Sequence, residues 1–197
     1  MNTTPPSVTP IISPVEIDHA IAALVLAFVT DPVARWLYDD PHQYLLHMPR
    51  LFRALGTNSF EAHAAHRTQD GIGVALWLPP GVHGDAGPVE LVIGDSIAGE
   101  KQVDAGALFD RTEEYRPTEP HWYLSLLGIE PAHRNKGYGG ALLRHALHQC
   151  DRDHLPAYLW SSNPQNLSLY LRHGFEIAGT IQVGSSPTIF PMLRRPR

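Results

Sequence analysis

The sequence predicts one α/β domain built on a mixed sheet, and three observations predict it. From His121 to the C-terminus, strand-like and helix-like segments follow the order strand, helix, strand, helix, strand, strand, which is the signature of helices packed on a mixed sheet. Two amphipathic segments of helical period come before them. Finally, 197 residues with 43% hydrophobic and 18% charged side chains suit one globular core.

Residues 1–14 hold Pro5, Pro6, Pro10 and Pro14 and read as a loose tail or short extended lead-in, leaving 15–197 as the domain. Ile17, Ile21, Leu24, Val25 and Phe28 recur at helical spacing, and Asp31-Pro32 reads as the stop. Leu45, Met48, Leu51, Phe52 and Leu55 repeat the pattern, with Gly56 as the expected C-cap. Ser59 to Gln69 is ambiguous but strand-compatible. Asp70-Gly71 is a turn signal, and Gly73 to Leu78 a strand closed by Pro79-Pro80-Gly81. Residues 88–115 read as helix in pieces, interrupted near Gly94 and Gly99. His121 to Ile129 is an apolar, aromatic strand, Gly137 to Cys150 a helix, and Ala157 to Trp160 a short strand. Asn163-Pro164 starts a helix that His173-Gly174 ends, and Phe175 to Val183 and Thr188 to Leu193 close the chain as strands.

A net charge of −5 argues against nucleic acid, whose phosphates need a basic surface. The lone Cys150 has no internal partner for a disulfide. Met1 to Pro10 lacks the charge and apolar run of a secretory signal. The longest apolar stretch, Ile21 to Val29, is nine residues, whereas a spanning helix needs about 20. These features point to a cytoplasmic protein with no membrane partner. His145, His148 and His154 lack a completing Cys or carboxylate set, so no metal is expected.

The chemistry centres on the loop Arg134-Asn135-Lys136-Gly137-Tyr138-Gly139-Gly140 between a strand and a helix. A helix N-terminus offers unpaired N–H groups and partial positive charge, which suit a phosphate. Glycines let an anion approach the backbone, and Arg134 and Lys136 add charge. A Walker loop is excluded, because Lys136 precedes Gly137 rather than following it. A dinucleotide fingerprint fits poorly, because Leu142 stands where its third glycine belongs; Asp153 at the spacing of the ribose-binding acid keeps an oxidoreductase as a distant third reading. On composition alone the loop is equally compatible with a helix start that binds nothing.

The segment His121 to Phe175 resembles the GNAT superfamily of N-acetyltransferases. Its cofactor motif is Gln or Arg, two free positions, Gly, one free position, then Gly or Ala, as in Arg134 to Gly139. The likeness extends to the preceding Gly128-Ile129-Glu130-Pro131 and to Asn166, Tyr170 and His173-Gly174-Phe175. Asp31-Pro32, Arg35-Trp36, Ala75 to Gly81, His121 to Leu124 and Pro187 to Met192 further resemble puromycin N-acetyltransferase-like members.

The resemblance implies a GNAT fold, a central mixed, mostly antiparallel twisted sheet flanked by helices. It implies acetyl-CoA as co-substrate and a small-molecule primary amine as acceptor, with a homodimer allowed for. Leu127, Gly128 and Ile129 would meet the pantetheine arm and acyl carbonyl, and the amides of Arg134 to Gly140 the pyrophosphate. Asn135 stands where relatives often have Gly, and Asn tolerates left-handed backbone. Asn166 would touch the cofactor arm. Tyr170 would protonate the departing thiolate, the alternative being a packing role beside Leu167 and Leu171. Trp160 replaces the Glu expected as base in puromycin-type relatives. That leaves His121, Glu119 and Ser125 as candidates, with Asp31 and Asp40 as pocket residues and Trp122 and Trp160 as aromatic walls or core. The missing Glu also supports a second reading, a non-catalytic CoA-binding sensor or scaffold.

Overall fold

A computed structural model describes residues 6–197. In chain order the elements are β1 (Val8–Pro10), α1 (Pro14–Ala27), α2 (Pro32–Leu37), α3 (Pro41–Glu61), β2 (Ala65–Thr68), β3 (Gly73–Leu78), α4 (Ala86–Ser96), α5 (Glu100–Glu113), β4 (Trp122–Ile129), α6 (Tyr138–Arg152), β5 (Ala157–Ser161), α7 (Leu167–Arg172), β6 (Glu176–Ile177) and β7 (Phe190–Arg194). The strands form one sheet in the order β1-β2-β3-β4-β5-β7-β6. Only β4 and β5 run parallel; every other neighbouring pair is antiparallel.

The sheet separates two cores, and β3 shows why its sequence is apolar throughout. Val74 and Leu76 pack with Ile21, Leu24, Leu51 and Phe52 from α1 and α3. Ala75 and Trp77 pack on the other face with Leu142, Leu143 and Leu147 from α6. A strand covered on both faces has no polar positions to alternate with.

The feature that positions the site is a bulge in β4. Leu126 stands opposite Leu76, yet Leu124 stands opposite Trp77, which leaves Ser125 without a partner on β3. One extra residue flips the face of everything beyond it and bends the strand. Accordingly Leu124 packs towards α6 and Leu126 towards α1, although they lie two positions apart. Beside the bulge, β4 and β5 pair only at Trp122–Ala157 and Tyr123–Tyr158. Both strands continue past that point, so they splay apart.

Gly128 lets α1 sit on β4: a Cβ there would fall 2.8 Å from both Ala27 Cβ and Leu24 Cδ2. A Gly128→Val protein should lose about 2 kcal/mol, roughly 4–8 °C in Tm, through overpacking against α1. A thermal melt by circular dichroism checks this; an unchanged Tm would mean that α1 shifts without cost.

Several expectations need correction. Within the predicted loose tail, Val8–Pro10 pairs with β2 as an edge strand, and Ser13 caps α1 through a reciprocal bond with Glu16; Met1 to Pro5 lie outside the described residues. Asp31-Pro32 does not stop the first helix, which already ends at Ala27 with Phe28 as its C-cap; it starts α2, with Asp31 accepting from the amides of Val33 and Ala34. Gly56 caps nothing: α3 runs on to Glu61, and Gly56 is a contact point where a Cβ would fall 2.8 Å from Leu76 Cδ1. Gly94 lies inside α4, and the break falls at Ile97 to Gly99, where Gly99 has φ +67°. The predicted strand 175–183 reduces to β6 plus a bridge between Ile181 and Ile189.

Candidate functional site

The splay between β4 and β5 opens into a cleft of about 670 Å³. Leu127, Gly128 and Ile129 form its β4 wall, and Arg134, Asn135, Gly137, Tyr138, Gly139 and Gly140 its floor. Asn166 and Tyr170 close the opposite side. The fold thus gathers the predicted cofactor residues in one place, with one exception: Lys136 is exposed and does not line the cleft.

The loop's shape follows from its backbone. Asn135 adopts φ +61° and Gly137 φ +88°, two left-handed residues that turn the chain into α6. No side chain caps α6, and its first intrahelical donor is the amide of Ala141, bonding the Gly137 carbonyl at 3.0 Å. The amides of Tyr138, Gly139 and Gly140 therefore have no intrahelical acceptor. Gly139 and Gly140 also admit neighbours. A Cβ on Gly139 would lie 3.2 Å from Leu169 Cδ2, and one on Gly140 would lie 3.1 Å from an Arg144 guanidinium nitrogen. Arg144 and Arg172 reach the cleft as well, two cations that the sequence motif did not single out. Arg144 was findable, since it lies one turn beyond Gly140 on the same helix face. Arg134 donates to the Ala27 carbonyl, tying the loop to the end of α1, and the Tyr138 hydroxyl bonds the Asp70 carboxylate of the β2–β3 turn. An overall acidic chain thus presents a locally positive floor.

At its inner end the cleft meets a second cavity of about 80 Å³, and the two share Phe28, Asp31, Leu127, Asn166 and Tyr170. Tyr170 is 6% exposed; burial first, and then the charge of Asp31, push its hydroxyl well above the usual phenol range. It therefore stays protonated at any ordinary pH. Asp31 is 7% exposed. One of its oxygens accepts the amides of Val33 and Ala34 at 3.0 Å each, and the other accepts the Ser162 hydroxyl from the end of β5. Burial raises its pKa despite the opposing bonds from Ser162, Ala34 and Val33 and the charge of Arg134. A buried carboxylate with a raised pKa, at the junction of two cavities, is suited to accept a proton. Sequence reasoning placed Asp31 only on a pocket wall, and Ser162 not at all.

The other candidates lie elsewhere. His121 stands before β4, at the closed end of the splay; its Nδ1 is 2.8 Å from the Glu119 carbonyl, and it lines neither cavity. A base there would be on the wrong end of the strand. Glu119 is exposed and bonded to Arg195, and Asp40 is an exposed cap of α3. Ser125 and Trp160 line the smaller cavity, while Trp122 bonds Asp153 at 3.1 Å on the α6 side. Among the described residues, no group of three or more His, Cys, Asp or Glu stands close enough to hold a metal ion, and no helix is long and apolar enough to cross a membrane.

Residues 96–175 match the acetyltransferase (GNAT) family. The chain is 28% identical over 176 residues to an uncharacterised N-acetyltransferase of Schizosaccharomyces pombe, covering 79% of this chain and 69% of that one. Among solved structures, it superposes with a TM-score of 0.70 on the histone acetyltransferase HPA2 and related acetyltransferase from Corynebacterium glutamicum, at 25% identity over 98% of each chain. It also superposes at 0.65 on arylalkylamine N-acetyltransferase 2 from Aedes aegypti, at 13% identity over 97% of this chain and 99% of that one, a likeness of fold. The bulged and splayed strands, the uncapped α6 and these matches agree: the chain has the GNAT fold, and its segment 96–175 is similar to the GNAT acetyltransferase family.

Proposed function

We propose that the chain transfers an acetyl group from acetyl-CoA to the primary amine of a small molecule, with Tyr170 as general acid and Asp31 as proton acceptor. The observation that carries this reading is the meeting of an anion-suited floor and a buried phenol–carboxylate pair in one cleft. The narrower kinship with puromycin N-acetyltransferase-like enzymes is part of the proposal, supported by the motifs Asp31-Pro32 and Ala75 to Gly81.

The residues present fit the co-substrate. The free amides of Tyr138, Gly139 and Gly140, with Arg144 and Arg172 beside them, suit a pyrophosphate. The unpaired edge of β4 at Leu127 to Ile129 suits an extended amide-bearing arm, which adds to a sheet as a strand does. When bound, acetyl-CoA supplies an activated thioester. Asp31 takes a proton from the incoming ammonium, leaving a nucleophilic amine. Ser162 keeps Asp31 oriented and opposes the rise in pKa that burial causes. As the amide forms, its nitrogen loses a second proton to solvent, while Tyr170 gives its hydroxyl proton to the departing thiolate and is recharged from solvent. Phe28 and Leu127 border both proton-transfer groups and limit water.

Thiol release from acetyl-CoA over a panel of amines tests the reading, with calorimetry for CoA binding. Tyr170→Phe should lower kcat about 100-fold while leaving the CoA Kd within twofold, because general acid catalysis contributes on that scale. No thiol release with any amine despite CoA binding would make the protein a CoA holder. No heat on titrating CoA would remove the co-substrate as well.

A further inference from the structure

We infer that the acceptor is a compact monoamine, with a single positive charge on an apolar body of about three to five carbon atoms, seated in the smaller cavity with its nitrogen at Asp31. This deepens the acetyl-transfer reading above and rests on it.

The charge count comes first. Among the described residues lining the cavity, Asp31 has the only carboxyl and there is no basic side chain; the rest are aliphatic or aromatic side chains, three serines, one asparagine and two phenols. One carboxylate matches one ammonium. A second ammonium on the same molecule would sit against Val33, Leu37, Met48, Phe52 and Leu126, where an unpaired charge is strongly disfavoured. That excludes polyamines from a productive pose.

The hydrogen-bonding inventory weighs against peptides. An N-terminal amine brings an amide group beside it, which needs partners once buried. Two of the three lining serine hydroxyls already donate, Ser162 to Asp31 and Ser161 to the Asn163 carbonyl at 3.1 Å. Among the serines only Ser125, the bulge residue, keeps a free donor, and Asn166 and Tyr170 serve the co-substrate, which leaves few partners for a peptide backbone.

Size sets the third limit. The cavity measures about 80 Å³, whereas an apolar cavity that holds benzene measures roughly 150 Å³. Trp160 bounds the space, held edge-on to Phe109 with ring centroids 6.3 Å apart. This is the residue that stands where puromycin-type relatives are expected to have a Glu. In this chain the position supplies a wall, while the carboxylate comes from Asp31 at the start of α2.

The experiment is a kcat/KM series by thiol release with isobutylamine, 2-phenylethylamine, spermidine and an alanyl peptide. Isobutylamine should exceed spermidine and the peptide by about 100-fold or more, and 2-phenylethylamine by about 10-fold, the scale at which apolar pockets sort ligands by size. Trp160→Ala should raise 2-phenylethylamine about 10-fold and lower isobutylamine. Leu55→Ala, at a half-buried wall position, should shift preference in the same direction and guards against misfolding of the tryptophan variant. Turnover of spermidine or the peptide at or above that of isobutylamine would overturn this inference and leave acetyl transfer standing. Silence with every amine would overturn both.

Discussion

An Asp31→Asn protein should lose about two orders of magnitude in kcat for amine acetylation, while its melting temperature at neutral pH holds or rises. The two halves of that result have separate causes. Asparagine keeps an oxygen that can accept the amides of Val33 and Ala34, so the cap of α2 survives. Its amide can meet the Ser162 hydroxyl with the donor and acceptor roles exchanged. What it cannot do is take a proton from an ammonium, and that contribution is worth roughly 10²–10⁴ in rate. The stability half follows from linkage. Burial raises the Asp31 pKa above 3.8, so the folded state holds this proton more tightly than the unfolded chain does. A carboxyl raised in this way favours folding at low pH and loses that benefit as pH rises through its folded value. Above its folded value the ionised group is a cost that asparagine removes. The activity has the opposite sign, because Asp31 must be ionised to act as base. The kcat/KM profile should fall as pH drops through the raised Asp31 value, and Asp31→Asn should flatten that limb. In Ser162→Ala the carboxylate loses a donor, so the limb should move to higher pH. Full turnover in Asp31→Asn, with its acid limb intact, would show that the base lies elsewhere.

The history of Asp31 also shows what a sequence can and cannot disclose. Asp-Pro was read as a helix stop, since the residue before proline avoids helical angles. The same dipeptide is a helix start, with aspartate as N-cap and proline in the first turn. Only the start holds here: α1 has already ended at Ala27, and α2 begins at Pro32. The cofactor loop was legible because its chemistry is local: Asn135 and Gly137 need left-handed angles, and α6 starts immediately after them. Tyr170 was legible by motif. The proton acceptor was not, because Asp31 meets Ser162 across 131 positions of chain and Tyr170 across 139. Nor did any local pattern announce the bulge inside Trp122 to Ile129. His121 was favoured for the reverse reason: it is a chemically apt residue near the right strand. The strand runs from His121 towards the cleft, so proximity in sequence put it at the wrong end. Val8–Pro10 was missed because an edge strand of three residues gains its order from Ala65–Thr68, some 57 positions later.

The largest stability effect should come from a place outside the cleft, Asp151→Ala. Arg194 is 3% exposed, and its two terminal nitrogens donate to the two oxygens of Asp151 at 2.8 Å each, a bidentate pair between β7 and α6. Its Nε donates to the His173 carbonyl at 3.0 Å, so the same guanidinium also ties down the end of α7, which bears Tyr170. Removing the carboxylate leaves a buried guanidinium with one of three bonds. Losing one partner of such a pair costs about 3 kcal/mol or more, since the remaining charge is neither paired nor hydrated. In a chain of this size that is roughly 6–12 °C in Tm. The pH dependence identifies the cause. The Arg194 guanidinium is the main reason that the Asp151 pKa lies below 3.8. A carboxyl depressed in the folded state contributes stability that is fully present above its unfolded value and is lost as pH falls through the folded one. The Tm gap between the parent and Asp151→Ala should therefore be complete at pH 6 to 7 and shrink below about pH 4. A double variant, Asp151→Leu with Arg194→Met, should recover much of the loss, because it removes the stranded charge along with its partner. A gap that persists unchanged into acid would mean that the lost contribution is packing rather than charge. A double variant no better than Asp151→Ala would say the same of the guanidinium.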